Sequence, residues 1–312
     1  MNAIVLAGGK GTRLAPLTTL IPKPMLTVAG YPMLDYVTSQ LAHFKINNVV
    51  YAVAYKKEQI QQRADGYIGI KVRYSCDDIP LGTAGSVKNA FDMLDETFIV
   101  MSGDCLNDIN LSEMINEHKK SNNEVTMAVV KREDTTKYGV VNTDENGKIT
   151  MLIEKPQTNA YGNLINAGVY VINKRVLTNQ KDGMLDFAKD VFPILVQNRK
   201  IGAYFHDGHW TDIGAIEDYY DANFYMKDHA FFPMIKCRDN SLCTNSNGNV
   251  ISSTARVFGK SVNSIVNNYA TVASGVKIRN SIILPQSTVE QNCTNCIVGR
   301  DFIFKLSQSS PY

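Results

Sequence analysis

Short apolar runs alternate with longer amphipathic stretches through roughly the first 225 residues of the chain. The run at 3–7 has no polar position, which is typical of a strand buried on both faces. The stretch at 31–44 instead places its apolar residues at helical spacing. Further apolar runs at 48–54, 71–75 and 97–103 predict three more strands. This alternation predicts an α/β domain whose parallel strands are joined by crossover helices.

The strand pattern then changes, because three β-rich segments follow one another closely: VTMAVV, GVVNT and KITMLIE. Glu145-Asn146-Gly147 predicts a turn between the last two. We therefore expect an antiparallel excursion added to the sheet. The predicted fold is a Rossmann-like mixed, mostly parallel sheet with helices on both faces.

The tail from Val250 has no helical period, and its aliphatic residues fall six apart. One series is Val266, Val272, Ile278 and Leu284, and a second begins with Val276 and Ile282. Six-residue periodicity predicts a short C-terminal left-handed β-helix of the hexapeptide type, with a plain β-meander as the alternative. We expect a catalytic domain at 1–228 and a linker with the β-helix at 229–312.

Net charge limits the classes of partner. The 312 residues carry 32 basic and 30 acidic side chains, a formal charge of +2, so no global field favours nucleic acid or an anionic membrane. Nothing approaches the roughly 18 to 20 uninterrupted apolar residues that span a bilayer, and the opening apolar run lacks a basic segment before it. We expect a cytoplasmic protein that recognises phosphate locally.

A glycine-rich loop directly follows the first predicted strand, in the sequence LAGGKGTRL. Glycines let backbone N–H groups approach an anion, while Arg13 and, farther on, Lys23 supply positive charge to a triphosphate. The spacing matches neither the P-loop nor the dinucleotide-binding fingerprint. Taken alone, the loop could equally be a structural turn.

The motifs around this loop resemble those of the sugar-1-phosphate nucleotidyltransferases, the nucleotide-sugar pyrophosphorylases. LAGGKGTRLAPLT and PKPML are followed in order by PLGTAGSV, SGDCL, KYGVV, EKP, NAGVYV and WTDIG. KYGVV and the β-helix-like tail look most similar to mannose-1-phosphate guanylyltransferases. The chain departs from the pattern at Ala15, where arginine is common, and at Cys105, beside an acidic residue of the motif.

The resemblance implies a set of site residues. Mg²⁺ is expected between Asp104 and Asp212, because two anionic reactants require charge neutralisation. The expected catalytic residues are Arg13, Lys23, Asp104, Lys155 and Asp212. The expected nucleotide-binding residues are Leu6, Ala7, Gly8, Gly9, Gly11, Thr12, Arg13, Lys23, Asp77, Gly82 and Thr83. The sugar phosphate is expected at Gly139, Glu154, Lys155 and Asn166.

Asp77 bears on the choice of base. Relatives that use UTP or dTTP typically carry glutamine at this position, five residues before Gly82. A carboxylate only accepts hydrogen bonds, which suits the N–H donors of guanine and not the carbonyls of uracil or thymine. The sequence therefore favours GTP, although Asp77 could instead be an ordinary turn residue.

The predicted reaction is GTP plus mannose 1-phosphate giving GDP-mannose and pyrophosphate. The alternatives are a dTTP- or UTP-dependent glucose-1-phosphate nucleotidyltransferase, a heptose-1-phosphate guanylyltransferase and a non-catalytic nucleotide-sugar-binding regulator. A bifunctional acyltransferase is disfavoured, because the tail is short and offers no convincing catalytic histidine. We expect a homo-oligomer with contacts through the β-helix, whose open ends neighbours can cover.

Overall fold

The computed structural model describes residues 1–229, 231–238 and 243–307. The helices it contains are α1 (Met33–His43), α2 (Lys57–Ala64), α3 (Gly82–Asn89), α4 (Leu111–Lys120), α5 (Phe192–Gln197) and α6 (Ile216–Asp228). The strands up to α6 are β1 (Ala3–Leu6), β2 (Thr27–Val28), β3 (Tyr31–Pro32), β4 (Asn48–Val53), β5 (Lys71–Cys76), β6 (Thr97–Ser102), β7 (Cys105–Asn107), β8 (Val125–Lys131), β9 (Gly139–Thr143), β10 (Ile149–Glu154), β11 (Leu164–Asn173), β12 (Ile201–Phe205) and β13 (Trp210–Asp212).

The central sheet has nine strands, and its main path runs β10-β9-β11-β6-β1-β4-β5, with β8 joining β11 to β12. β1 pairs in parallel with β4 and β6, and β4 pairs in parallel with β5. β11 is antiparallel to β6, and β9 and β10 form an antiparallel pair. The turn of that pair uses Gly147 at φ 71°, a conformation that favours glycine. The mixed sheet and the antiparallel excursion predicted from the sequence are confirmed.

Helices cover both faces of the sheet, as predicted. On one face, Leu34 and Val37 of α1 pack with Val5 of β1, and on the other Val87 of α3 packs with Ile4. Neighbouring residues of a strand point to opposite faces of the sheet. Because helices cover both faces, β1 is apolar throughout. In the described part of the chain, no helix has the length and apolar character needed to cross a bilayer.

The first helix is shorter than the predicted stretch 31–44, because Tyr31 and Pro32 pair with Thr27 and Val28 instead. Proline lacks an N–H group, so Pro32 suits the position just before a helix rather than its interior. The remaining strand predictions differ from the structure by one residue at most.

The tail forms a β-helix of stacked short strands. These are β14 (Cys243–Ser246), β15 (Asn249–Ser252), β16 (Arg256–Val257), β17 (Lys260–Val262), β18 (Ile265–Val266), β19 (Thr271–Val272), β20 (Lys277–Arg279), β21 (Ile282–Ile283), β22 (Thr288–Val289), β23 (Cys293–Thr294), β24 (Cys296–Val298) and β25 (Ile303–Lys305). They build three sheets, β14-β15-β18-β21-β24-β25, β16-β19-β22 and β17-β20-β23.

The six-residue series of the tail follows the turns of this β-helix. Val266, Val272 and Ile278 lie in three successive sheets and are each at most 1% exposed. Stacked partners are 15 or 17 residues apart, as Val257 with Val272 and Val272 with Val289 show. Six residues therefore advance the chain by about one side of the prism, and the β-helix prediction is confirmed.

A buried ion pair joins α1 to α2 on the face of the sheet that α1 covers. Asp35 is fully buried, and its carboxylate accepts hydrogen bonds from Arg63 and from the Tyr67 hydroxyl, the latter at 2.8 Å. Removing one member of a buried pair leaves the other charge uncompensated.

We therefore expect Asp35→Ala to lower the free energy of unfolding by about 3 to 5 kcal/mol. Urea denaturation followed by circular dichroism measures the loss. Asp65→Ala is the matched control, because Asp65 is an exposed carboxylate beside the Tyr74 hydroxyl at the end of α2. Equal losses in the two variants would contradict a special role for the buried pair.

Candidate functional site

The site lies where the parallel strands β1 and β6 end at the same edge of the sheet. The glycine-rich loop leaves β1 here, and Gly103 immediately after β6 donates its N–H to the Leu6 carbonyl at 2.9 Å. A Cβ on Gly103 would lie 2.9 Å from that carbonyl oxygen, so only glycine fits. In open α/β sheets this edge is the usual place for ligands.

A two-stranded ribbon brings the two predicted metal ligands together. β7 follows Asp104 directly, and β13 ends in Asp212, which pairs with Cys105 in antiparallel register. The next pair along the ribbon is Thr211 with Leu106. Residues more than 100 positions apart in the sequence thereby place their carboxylates side by side.

Lys23 lies between these carboxylates. Its Nζ donates to Oδ2 of Asp104 at 2.6 Å and to Oδ1 of Asp212 at 3.2 Å. The Lys23 side chain is only 8% exposed, whereas the aspartate side chains are 30% and 28% exposed. The opening of the site therefore exposes the carboxylates more than the ammonium that lies between them.

The three charges shift one another's pKa. Burial alone would lower the pKa of Lys23, but the charges of Asp104 and Asp212 outweigh it and raise that pKa. Burial would raise the pKa of Asp104, yet the adjacent Lys23 ammonium and its hydrogen bond lower it. Burial and the neighbouring Asp104 charge raise the pKa of Asp212. Two carboxylates this close compete for one cation, which is the expected behaviour of coupled acids.

The glycine-rich loop packs against the stem of Lys23. Gly11 has φ 65°, and a Cβ there would lie 3.0 Å from Cβ of Lys23 and 3.0 Å from the Thr18 methyl group. The loop ends in a short 3-10 helix, Thr12–Leu14, which leaves Arg13 exposed. Gly8 and Gly9 lie between β1 and this turn, and Gly9 has open space at its Cβ position. The structure thus places the predicted triphosphate loop directly beside Lys23.

The predicted sugar-phosphate residues form the opposite wall. Gly139 of β9 pairs with Glu154 of β10, and a Cβ on Gly139 would lie 2.9 Å from the Glu154 carboxylate. Asn166 lies across from them, 3.6 Å from the same Cβ position. Lys155 follows Glu154 with φ 47°, and its exposed ammonium lies 3.6 Å from that carboxylate. The four residues are brought together as the motifs predict.

The predicted base-binding residues lie farther along the same edge, around the start of α3. The Asp77 carboxylate accepts hydrogen bonds from the Ser86 hydroxyl and, at 3.0 Å, from the Asn89 amide. Thr83 donates its hydroxyl to Asp186 at 3.0 Å and accepts the N–H of Phe187 at 2.9 Å. Thr83 therefore anchors the segment before α5, a structural contact that its sequence motif does not indicate.

Gly82 supports the same contact. It has φ 72°, and a Cβ there would lie 2.6 Å from the Leu185 carbonyl. Leu185 also donates its N–H to the Leu81 carbonyl at 2.9 Å. The segment 183–187 thus fixes the chain at 81–85, where α3 begins. Ser86 and Asn89 of this helix contact Asp77.

A cleft of about 220 Å³ joins the two walls. It is lined by Arg13, Lys23, Ser102, Asp104, Cys105, Lys137, Tyr138, Gly139, Glu154, Asn166, Ala167, Gly168, Trp210 and Asp212. Several of these were missed from the sequence, although Ser102, Tyr138 and Trp210 each lie inside a recognised motif. Membership of the motif was the available signal.

Hydrogen bonds within the recognised motifs and between them hold the residues around the cleft. Ser102 donates its hydroxyl to Asp104, and the Trp210 indole N–H donates to the Ala167 carbonyl at 2.8 Å. The Asn166 amide donates to the Tyr170 hydroxyl at 2.8 Å. These contacts fix the side chains that face the cleft, so the site is preorganised before a ligand arrives.

Comparison with known proteins decides the family. The family model described as nucleotidyl transferase matches residues 2–229. The chain belongs to this family. The motif resemblance is thereby confirmed, and the matched range ends one residue after α6.

Curated relatives include mannose-1-phosphate guanylyltransferases. The catalytic subunit beta from Dictyostelium discoideum is 37% identical over 225 residues, covering 70% of this chain and 62% of that protein. The mannose-1-phosphate guanylyltransferase of Mycobacterium tuberculosis is 31% identical over 303 residues, covering 94% and 82%. The match therefore spans less than two thirds of the Dictyostelium protein but most of the mycobacterial one.

Solved structures share the architecture. HddC from Yersinia pseudotuberculosis, complexed with GMP-PN, superposes with a TM-score of 0.62 at 27% identity, covering 72% of this chain and 99% of HddC. A putative glucose-1-phosphate thymidylyltransferase from Bacillus anthracis gives 0.67 at 22% identity, covering 75% and 98%. The second likeness supports the α/β fold alone.

Proposed function

We propose that this protein transfers GMP from GTP to mannose 1-phosphate, forming GDP-mannose and releasing pyrophosphate. The observation that carries the proposal is the convergence of Lys23, Asp104 and Asp212 in a cleft whose other wall holds Glu154 and Asn166. The names of the curated relatives favour the guanine base and the mannose substrate. A non-catalytic regulator would have no need for this constellation.

A sugar phosphate oxygen attacks the α-phosphorus, one P–O bond forms, and the bond to pyrophosphate breaks. No side-chain nucleophile is required, so positioning and charge neutralisation supply the rate. Arg13 and Lys23 face the triphosphate, whereas Lys155 faces the phosphate of the sugar. Glu154 and Asn166 bind sugar hydroxyl groups above Gly139.

Mg²⁺ fits the donor set at Asp104 and Asp212. The two carboxylates already converge on one cation, the Lys23 ammonium, and carboxylate oxygens are ligands that Mg²⁺ prefers. Mg²⁺ is commonly held by one or two carboxylates together with substrate phosphates. When bound, the ion would neutralise charge on the triphosphate oxygens. Nucleotidyl transferases generally use a divalent ion, and magnesium is our specific proposal.

Asp77 is our proposed determinant of the base. Ser86 and Asn89 hold its carboxylate, and each carboxylate oxygen retains capacity to accept a further hydrogen bond. Guanine supplies N–H donors for that capacity, while uracil and thymine would place carbonyl oxygens against a negative charge. An unpaired buried group costs about 1 to 3 kcal/mol.

We therefore expect Asp77→Gln to shift the ratio of kcat/KM for GTP over UTP toward UTP by about tenfold. Both triphosphates are assayed with the same sugar 1-phosphate. The control is Asp78→Asn, since the Asp78 side chain is 90% exposed and lies 3.9 Å from Lys57. An unchanged ratio in Asp77→Gln would assign base recognition to other groups, such as the backbone near Leu6, Ala7 and Gly82.

We further propose that residues 1–228 are the catalytic domain and that 229–312 serve as linker and oligomer contact. The β-helix exposes Phe258 and Tyr269 by 66% and 65%, and such aromatic residues suit contact with a second copy. A cytoplasmic location matches the phosphorylated substrates. Residues 230, 239–242 and 308–312 of the proposed linker and tail lie outside the described residues.

The reverse reaction tests the proposed activity. Incubating the protein with GDP-mannose, labelled pyrophosphate and Mg²⁺ should generate labelled GTP. Chromatography separates the GTP from GDP-mannose. Absence of labelled GTP, together with labelled dTTP from a parallel incubation with dTDP-glucose, would replace the proposed reaction by the thymidylyltransferase alternative.

A further inference from the structure

Lys23 has a position that its predicted role does not explain. A lysine that only serves the triphosphate would extend toward the glycine-rich loop. Its Nζ instead contacts both carboxylates proposed to hold the divalent ion, at 2.6 Å from Asp104 and 3.2 Å from Asp212. The ammonium thus occupies the space between the two acids.

The backbone at Lys23 is fixed by its neighbours in the sequence. Lys23 begins the 3-10 helix Lys23–Met25, with Pro22 before it and Pro24 after it. Two prolines restrict φ on either side, and Leu26 donates its N–H back to the Lys23 carbonyl at 3.0 Å. Any change of partner by the ammonium would therefore come from rotation of the side chain.

The other partner for the ammonium would be a triphosphate at the glycine-rich loop. The stem of Lys23 packs under Gly11, where a Cβ would lie 3.0 Å from Cβ and 3.4 Å from Cγ of the lysine. The loop that would cradle the triphosphate is thus in contact with the same stem. Phosphate oxygens at this loop would compete with Asp104 and Asp212 for the ammonium.

We propose that the Lys23 ammonium holds the place of the divalent ion in the nucleotide-free protein and leaves it when the triphosphate binds. This inference rests on the proposed nucleotidyl transfer. Lys23 keeps the carboxylates neutralised and correctly spaced until phosphate oxygens attract its charge. The free protein should consequently bind divalent ions weakly, and the nucleotide should bind before or together with the ion.

The charge of the site explains how strongly the two carboxylates should bind a divalent ion with and without the Lys23 ammonium. One cation between two carboxylates leaves a net charge of −1, whereas removal of the ammonium leaves −2 in a partly buried site. An uncompensated buried charge is costly, so the empty pair gains affinity for another cation. Lys23→Met removes the charge and keeps most of the length and bulk of the stem.

The test measures Mn²⁺ binding without nucleotide at pH 8, from the electron paramagnetic resonance signal of free Mn²⁺. We expect Lys23→Met to bind one Mn²⁺ per chain at least about tenfold more tightly than the unaltered protein. The double variant Lys23→Met, Asp104→Asn should lose this gain. Lys23→Arg, which keeps the positive charge, should remain weak.

Lys137→Met is the matched control, because this substitution also removes one positive charge from the cleft. Lys137 is exposed and lines the same cleft as Lys23. Equal gains in both variants, or tight Mn²⁺ binding by the unaltered protein, would overturn the inference. Lys23→Gln gives the same test if Lys23→Met fails to fold. Formation of GDP-mannose by the unaltered protein is measured separately: activity without the Mn²⁺ gain overturns only this inference, and the gain without activity overturns only the proposed function.

Discussion

Asp104→Asn and Asp212→Asn should each lower kcat about 100- to 1,000-fold, the usual effect of removing one charge-stabilising group from a preorganised site. Each substitution keeps the side-chain shape and removes one negative charge next to Lys23. Both aspartates line the cleft and share that ammonium. Neither carboxylate belongs to a hydrophobic core, so the fold should persist.

Steady-state kinetics at saturating Mg²⁺ and substrates measures the loss. Circular dichroism and melting temperature verify that the fold is retained. Asp108→Asn is the control, because Asp108 follows the same β7 strand but pairs with His206 at 2.8 Å. Turnover close to that of the unaltered protein in either Asp104→Asn or Asp212→Asn would remove that carboxylate from the active site.

Lys155→Ala should raise KM for the sugar 1-phosphate about tenfold or more while GTP affinity changes little. A hydrogen bond to a charged group contributes about 1.5 to 3 kcal/mol, which corresponds to that range. Lys155 lies on the wall formed by Glu154 and Gly139, separate from the glycine-rich loop. The reciprocal variant is Arg13→Ala, which should weaken GTP binding.

Calorimetric titration with GTP and kinetics with varied sugar 1-phosphate separate the two effects. Each variant serves as the control for the other, since both remove one exposed cation from the site region. An equal loss of GTP affinity in the two variants would mean that one phosphate site had been divided into two.

Much of the fold is encoded locally and could be predicted. The buried strands β1, β4 and β6 appear as apolar runs, and the core face of α1 appears as helical spacing. The β-helix follows from aliphatic residues six apart, because each inward position recurs on the next side of the prism. These signals depend on neighbours in the sequence.

The contacts that assemble the site depend instead on residues far apart. β7 and β13 have three residues each, too few for periodicity, yet their pairing brings Asp104 beside Asp212. Thr83 and Asp186, which are also in contact, are likewise far apart in the sequence. Motif resemblance predicted the individual residues, but it could not indicate that Lys23 would contact both carboxylates.

The most direct test of the proposed reaction is a matrix of GTP, ATP, CTP, UTP and dTTP against mannose, glucose and heptose 1-phosphates, followed by pyrophosphate release. GTP with mannose 1-phosphate should give the highest kcat/KM. A preference for dTTP or UTP with glucose 1-phosphate would contradict it, as would a matrix without turnover by protein that still binds GTP.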